Sequence, residues 1–186
     1  DAQAAYEAGA IYGGLIFVDS SPRAVSEERA RKVIAAAPLS YVGVFRNADI
    51  ADVAAKAEAL SLSAVQLHGY EDQSYIDALR AALAPQVQIW KAQSVGDTLP
   101  SRNLNHVDKY VLDNGQGGTG QRFDWSLLNG EKLDNVLLAG GLSPDNCVEA
   151  AKTGCAGLDF NSGVESQPGI KDANKLASVF KTLRAY

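Results

Sequence analysis

The run YVLDNGQGGTG, residues 110 to 120, drives an apolar segment into Asp113 and then into a loop with four glycines in the next seven residues. A carboxylate at such a point can do acid-base work on a substrate, and that work requires a partner of opposite role. LLAGGLSPDN (137–146) ends another apolar run in Gly140 and Gly141, and LDFNSGVES (158–166) ends the next in Asn161, Ser162 and Gly163. Glycine lets backbone N–H groups approach a ligand closely, and the start of a helical turn adds further N–H donors, so two consecutive loops of this kind make a phosphate cradle. Arg23 in SSPR, His68 after VQL, Lys91 in VQIWKA and Asp159 in LDF put more polar groups near the ends of apolar runs. Cys147 and Cys155 form neither a disulfide framework nor a metal-binding spacing and read as structural thiols, so no metal is expected. His106 precedes a strand and receives no role.

Those residues are carried by a regular alternation. Short runs rich in β-branched and aromatic residues at 13–18, 41–45, 63–67, 87–92, 109–113, 135–139 and 156–161 read as strands. Between them lie helical patterns: SEERARKVIAAA capped by Ser26, DIADVAAKAEAL, EDQSYIDALRAAL, SPDNCVEAAKTG with Pro144 in its first turn, and KDANKLASVFKTLRAY. Strands joined by crossover helices make a parallel sheet, either doubly wound or closed into a barrel. Polar residues at the C-terminal ends of many strands favour the barrel, which gathers those ends into one ring. No G-x-G-x-x-G follows the first strand to argue for a dinucleotide crevice.

Seven strands are found where a closed barrel of this type needs eight, and the chain opens on the helical pattern AQAAYEAGA instead of a strand. The reading is therefore a single α/β domain over 1–186: a TIM (β/α)8 barrel lacking its first β-strand, with seven parallel strands and surrounding helices, excised from a longer chain. A net charge of −5 without a basic run argues against nucleic acid and an anionic membrane surface. The absence of a long apolar span or signal-like N-terminus leads to a cytoplasmic expectation. Loss of a strand leaves the strands at 13–18 and 156–161 without their shared neighbour, and either closure by direct approach of the two or self-association through their edges is expected.

In this order, GGLIFVDSSPR, VGVF, VQLHG, LDNGQGGTGQRFDW, LAGGLSPDN and LDFNSGVESQPGIKD resemble phosphoribosylanthranilate isomerase of tryptophan biosynthesis. The resemblance covers essentially the whole chain, and it is to the isomerase domain fused behind indole-glycerol-phosphate synthase in enterobacterial enzymes. It implies a cofactor-free Amadori rearrangement of an aminoaldose phosphate to an aminoketose phosphate. Asp113 matches the general acid and Arg23 the residue that binds the anthranilate carboxylate. Gly140, Gly141, Asn161, Ser162 and Gly163 match the phosphate site, and His68 and Asp159 fall among the substrate-binding positions, with Asp159 expected inside the last strand and facing inward. The family's general base is a cysteine on the first strand, in a K-x-C-G segment that the 186 residues do not contain. Lost or very low isomerase activity is therefore expected. The alternatives are a non-catalytic barrel fragment that keeps a phosphate site, or a related phosphate-binding barrel such as indole-glycerol-phosphate synthase.

Overall fold

The computed structural model describes residues 1–114 and 122–186. It opens with helix α1 (Ala2–Ala8), and Gly9 takes a φ of 106° just past its end. Strands β1 (Tyr12–Ile16), β2 (Ser40–Phe45), β3 (Ala64–Leu67) and β4 (Gln88–Ser94) follow, separated by α2 (Glu27–Ala36), α3 (Ile50–Ala59) and α4 (Gln73–Ala82). Then come β5 (Lys109–Asp113), β6 (Val136–Leu138), α5 (Cys147–Lys152), β7 (Gly157–Leu158), the short strands β8 (Glu165–Gln167) and β9 (Ile170–Lys171), and α6 (Ala173–Ala185).

The main sheet has seven strands in the order β1 to β7, which is the order of the chain. The pairings β1–β2, β2–β3, β3–β4, β5–β6 and β6–β7 are parallel. A doubly wound sheet reverses its strand order at a switch point, whereas strictly sequential order is the barrel's signature. Seven strands in barrel order agree with the sequence reading.

Local chemistry explains the helix starts. Ser26 accepts from Arg29 N–H at 3.2 Å, and Glu27 and Glu28 pair with Arg31 and Lys32 one turn later, each at 2.6 Å. Asp72 and Asp172 cap α4 and α6 in the same way. One start differs from expectation. Pro144 lies ahead of α5 rather than in its first turn, because the Asn146 side chain is occupied in bending the preceding loop, accepting from Ser143 N–H at 2.9 Å. Strand β7 is also shorter than the 156–161 run, ending at Leu158.

Two compact units divide the chain. The N-terminal unit comprises Ala2–Lys91 and Asn103–Asp108, and its core gathers Phe45, Val65, Leu67, Ile76, Leu79 and Ile89 between sheet and helices. Within it, Phe17 N–H bonds Val44 O on β2, so the alternate residue Ile16 faces the other way, and its carbonyl accepts from Val25 N–H. Segment 24–25 thus covers the C-terminal end of β1's outer edge. The C-terminal unit comprises Asp1, Ala92–Arg102 and Lys109–Tyr186, with a core of Leu112, Val136, Leu138, Ala150, Trp125 and neighbours.

Candidate active site

Strands β5, β6 and β7 are neighbours, so the loops leaving their C-terminal ends share one rim. The ladder runs one step past β6 and β7, with Ala139 N–H donating to Leu112 O and Asp159 N–H to Leu138 O, both at 2.8 Å. Asp113 is the last residue of β5 and is half-buried, with Oδ1 accepting from Asn114 N–H at 2.6 Å. Gly140 has a φ of 80°, and a Cβ there would collide with Asp113 Oδ1 and come within 3.2 Å of Asn114 N. Only glycine fits both the backbone and the space. The carboxylate and the first glycine loop are in direct contact.

That loop has its own scaffold. Asn146 Nδ2 donates to Gly141 O at 2.8 Å while its Oδ1 takes Ser143 N–H, so one side chain holds both ends of the bend. Gly163 brings in the second loop, because a Cβ on it would overlap Leu142 O and lie 2.8 Å from the Leu142 carbonyl carbon. The two glycine loops therefore pack backbone against backbone. Asn161, Ser162 and Gly163 lie where expected, Asn161 preceding the 3₁₀ turn Ser162–Val164. Asp159 lies one residue past β7 rather than inside the strand, and it is exposed, with its N–H on Leu138 O. The glycine-rich segment after Asn114, residues 115–121, lies outside the described residues.

In the N-terminal unit, Arg23 is half-buried in the turn after β1, with its N–H bonded to Ser21 Oγ at 3.1 Å, and His68 is exposed directly after β3. Lys91 sits inside β4 and is buried. Its ammonium donates to Glu71 Oε2 at 2.9 Å and to Gly69 O at 2.7 Å. Glu71 Oε1 accepts from Asn47 N–H at 2.7 Å, its Oε2 from Gly69 N–H at 2.9 Å, and Asn47 Oδ1 takes Tyr70 N–H at 2.8 Å. This network ties the loop bearing His68 to β4 and to the loop after β2. Burial alone would raise the Glu71 carboxyl, but the hydrogen bonds from Lys91 and from backbone N–H groups outweigh it and hold the group below the ordinary range. Burial, with the negative charge of Glu71, Asp49 and Asp52 behind it, pushes the Tyr75 phenol up to about 12, and the protonated phenol donates to Ala48 O at 2.7 Å.

Glu71, Asn146 and the pair Glu165–Lys171 were not singled out from the sequence. For the last of these a local signal existed: the Pro168–Gly169 dipeptide marks a turn between two short strands. Cys147 is buried, with Sγ donating to Pro144 O at 3.4 Å, and burial raises the Cys155 thiol, so both are inert packing groups. Among the described residues no three His, Cys, Asp or Glu side chains come together as metal ligands.

Sequential parallel strands, with a carboxylate at the end of one and stacked glycine loops at the ends of the next two, define the class of parallel βα barrels, whose functional residues gather at the strands' C-terminal ends. The model of the family "N-(5'phosphoribosyl)anthranilate (PRA) isomerase" matches residues 1–182, and the chain belongs to that family. It is 75% identical over 186 residues to the tryptophan biosynthesis protein TrpCF of Salmonella typhi, and 68% identical over 186 residues to that of Yersinia pestis. All of this chain is covered in both matches, but only 41% and 39% of those proteins, so it spans about two fifths of their length. Phosphoribosyl anthranilate isomerase from Thermus thermophilus superposes with a TM-score of 0.86 at 30% identity, covering 100% of this chain and 93% of that one. A phosphoribosyl anthranilate isomerase solved with reduced 1-(o-carboxyphenylamino)-1-deoxyribulose 5-phosphate superposes at 0.81, with 30% identity and the same coverage.

Proposed function

We propose that the rim formed by β5, β6 and β7 binds the phosphorylated aminosugar of the Amadori rearrangement, with Asp113 as the general acid. The observation that carries this reading is the contact of Gly140 with the Asp113 carboxylate, which joins acid and phosphate loop in one site. Asn114 N–H donates to Oδ1, so that oxygen is the acceptor and the transferable proton belongs on Oδ2. Delivered to the ring oxygen, that proton lets the C1'–O bond break and the furanose open to a protonated imine, its nitrogen carrying the positive charge. Removal of the C2' proton then gives the enolamine, which tautomerises to the aminoketose. Arg23, a planar fork of donors, suits the anthranilate carboxylate, and His68 and Asp159 are assigned to the sugar-phosphate's surroundings. No cofactor enters the scheme. The TrpCF relatives support a parent chain in which this segment accompanies indole-glycerol-phosphate synthase.

The phosphate half of the reading is tested by titrating inorganic phosphate into isotopically labelled protein. Amide shifts at Gly140, Gly141, Ser162 and Gly163 with an affinity in the millimolar range are expected, as for a site with few contacts. Gly163→Ala, whose methyl pushes the two loops apart, should lose them. Unmoved resonances at high phosphate reject the site.

As for catalysis, a polypeptide of these 186 residues carries Asp113 but no K-x-C-G segment, and its turnover is proposed to be very low. Association is the remaining part of the proposal. Tyr12 and Gly14 lie on the stretch of β1 that segment 24–25 does not cover, and Ile11 beside them is 70% exposed. A second copy pairing along this edge is expected to give a mass by light scattering that rises with concentration. A constant monomer mass rules that out.

A further inference from the structure

The loop after β3 exposes its side chains and ties down its backbone. His68 and Tyr70 are both exposed, Tyr70 to 88%, so neither adds to the core. Their peptide groups are nonetheless held from three sides. His68 N–H donates to Phe45 O on β2 at 2.8 Å, and Tyr70 N–H to Asn47 Oδ1 in the loop after β2. From β4, Lys91 donates to Gly69 O, while Glu71 takes Gly69 N–H. The space is shaped to match: a Cβ on Gly69 would collide with Asn47 Oδ1 and come within 2.9 Å of Glu71 Oε1, so both side chains pack directly on the glycine backbone. Asn47 has a φ of 50°, a left-handed conformation that asparagine adopts more readily than most residues.

A buried ion pair is a costly way to join β4 to a neighbouring loop, because apolar side chains of similar volume often hold as well or better. What an apolar pair cannot do is accept the Gly69 and Asn47 N–H groups and donate to Gly69 O. The distinctive product of the network is therefore a fixed course for residues 68–70, not a deeper core. Fixing an exposed side chain in advance lowers the ordering cost when a ligand meets it. We propose that Asn47, Glu71 and Lys91 are positioning residues that hold His68 ready for the phosphorylated aminosugar. The inference rests on the substrate-lining role given to His68 above and adds to it three residues that act through the loop.

Reduced 1-(o-carboxyphenylamino)-1-deoxyribulose 5-phosphate, titrated by the amide shift of His68, is the probe. Asn47→Gly suits the positive φ, leaves the Glu71–Lys91 pair in place and releases Tyr70 N–H. Lys91→Met with Glu71→Gln removes the pair without orphaning a charge. In each variant the affinity is expected to fall about fivefold, which converts to about 1 kcal/mol, with the amide resonances of the C-terminal unit at their parent positions before ligand is added. If the double variant folds poorly, Asn47→Gly alone carries the test. A merely structural role would shift the urea unfolding midpoint and leave the affinity of the folded chain unchanged. Parent-like affinity in the folded variants, or a loss accompanied by displaced resonances throughout the C-terminal unit, overturns the proposal and leaves His68 in the site. An unmoved His68 amide in the parent chain instead removes His68 from the site, and this inference with it.

Discussion

Supplying a strand with the family's K-x-C-G character ahead of Ala2 is expected to raise isomerase turnover by on the order of 10² to 10⁴, the usual contribution of a positioned general base. The 186 residues already present an acid at the end of β5 and stacked glycine loops beside it, but no cysteine of that segment. Cys147 cannot take the role: it is buried in α5 and bonded to Pro144 O, and Cys155 carries a thiol whose ionisation burial disfavours. The same strand with alanine in place of its cysteine should improve stability and leave turnover low, which separates the base from its scaffold. In the restored protein, Asp113→Asn should abolish activity, since an amide has no proton to give the ring oxygen at neutral pH. Steady-state assay of phosphoribosylanthranilate conversion, on samples verified by intact mass, reads all three. If the unsupplemented chain turns over at the rate of an intact family member, the missing-base account fails and another group takes the C2' proton.

The second large effect concerns stability. Lys91→Met should cost about 3–5 kcal/mol, because it strands the Glu71 carboxylate in a site where both side chains are nearly fully buried, at 7% and 1% exposure. Pairing it with Glu71→Gln removes the orphaned charge and should recover a large part of the loss, so the two changes will be strongly non-additive in urea unfolding. The same pair sets an acid limit. Glu71 titrates lower in the folded chain than in the unfolded one, so its stabilisation is complete above the unfolded value of about 4.3 and disappears as pH falls through the folded value. Unfolding free energy measured from pH 6 downward should therefore fall less steeply in Glu71→Gln than in the parent. An equal slope in the two proteins would show that Glu71 is not linked to folding.

What could be read without coordinates was local along the chain. Apolar runs separated by helical patterns predicted seven strands, six helices' worth of chain and their order, because strand and helix periodicities, N-caps such as Ser26 and terminators such as Gly9 act within a few residues of themselves. Asp113, Gly140, Gly141 and the Asn161–Gly163 turn were legible for the same reason: in a parallel βα chain the residue that ends a strand is already at the functional rim. Asp159 was placed inside the last strand by that logic, but β7 ends at Leu158 and leaves it one residue outside. Nor could the spacing of residues foretell that Gly140 abuts Asp113 or that Gly163 abuts Leu142, contacts made where separate loops meet in space. Glu71 and Lys91 are twenty positions apart, and although Lys91 stands out at the end of an apolar run, nothing along the chain ties it to Glu71. Only the folding of the loop after β3 back over β4 removes both from water and makes their pairing obligatory. Lys171 likewise reads as a surface lysine until a two-stranded hairpin sets it against Glu165 and Asn161. Local sequence thus determined which elements form and which residues end them, while the tertiary structure decided which buried charges meet, because desolvation and close backbone approach exist only once distant segments are packed together.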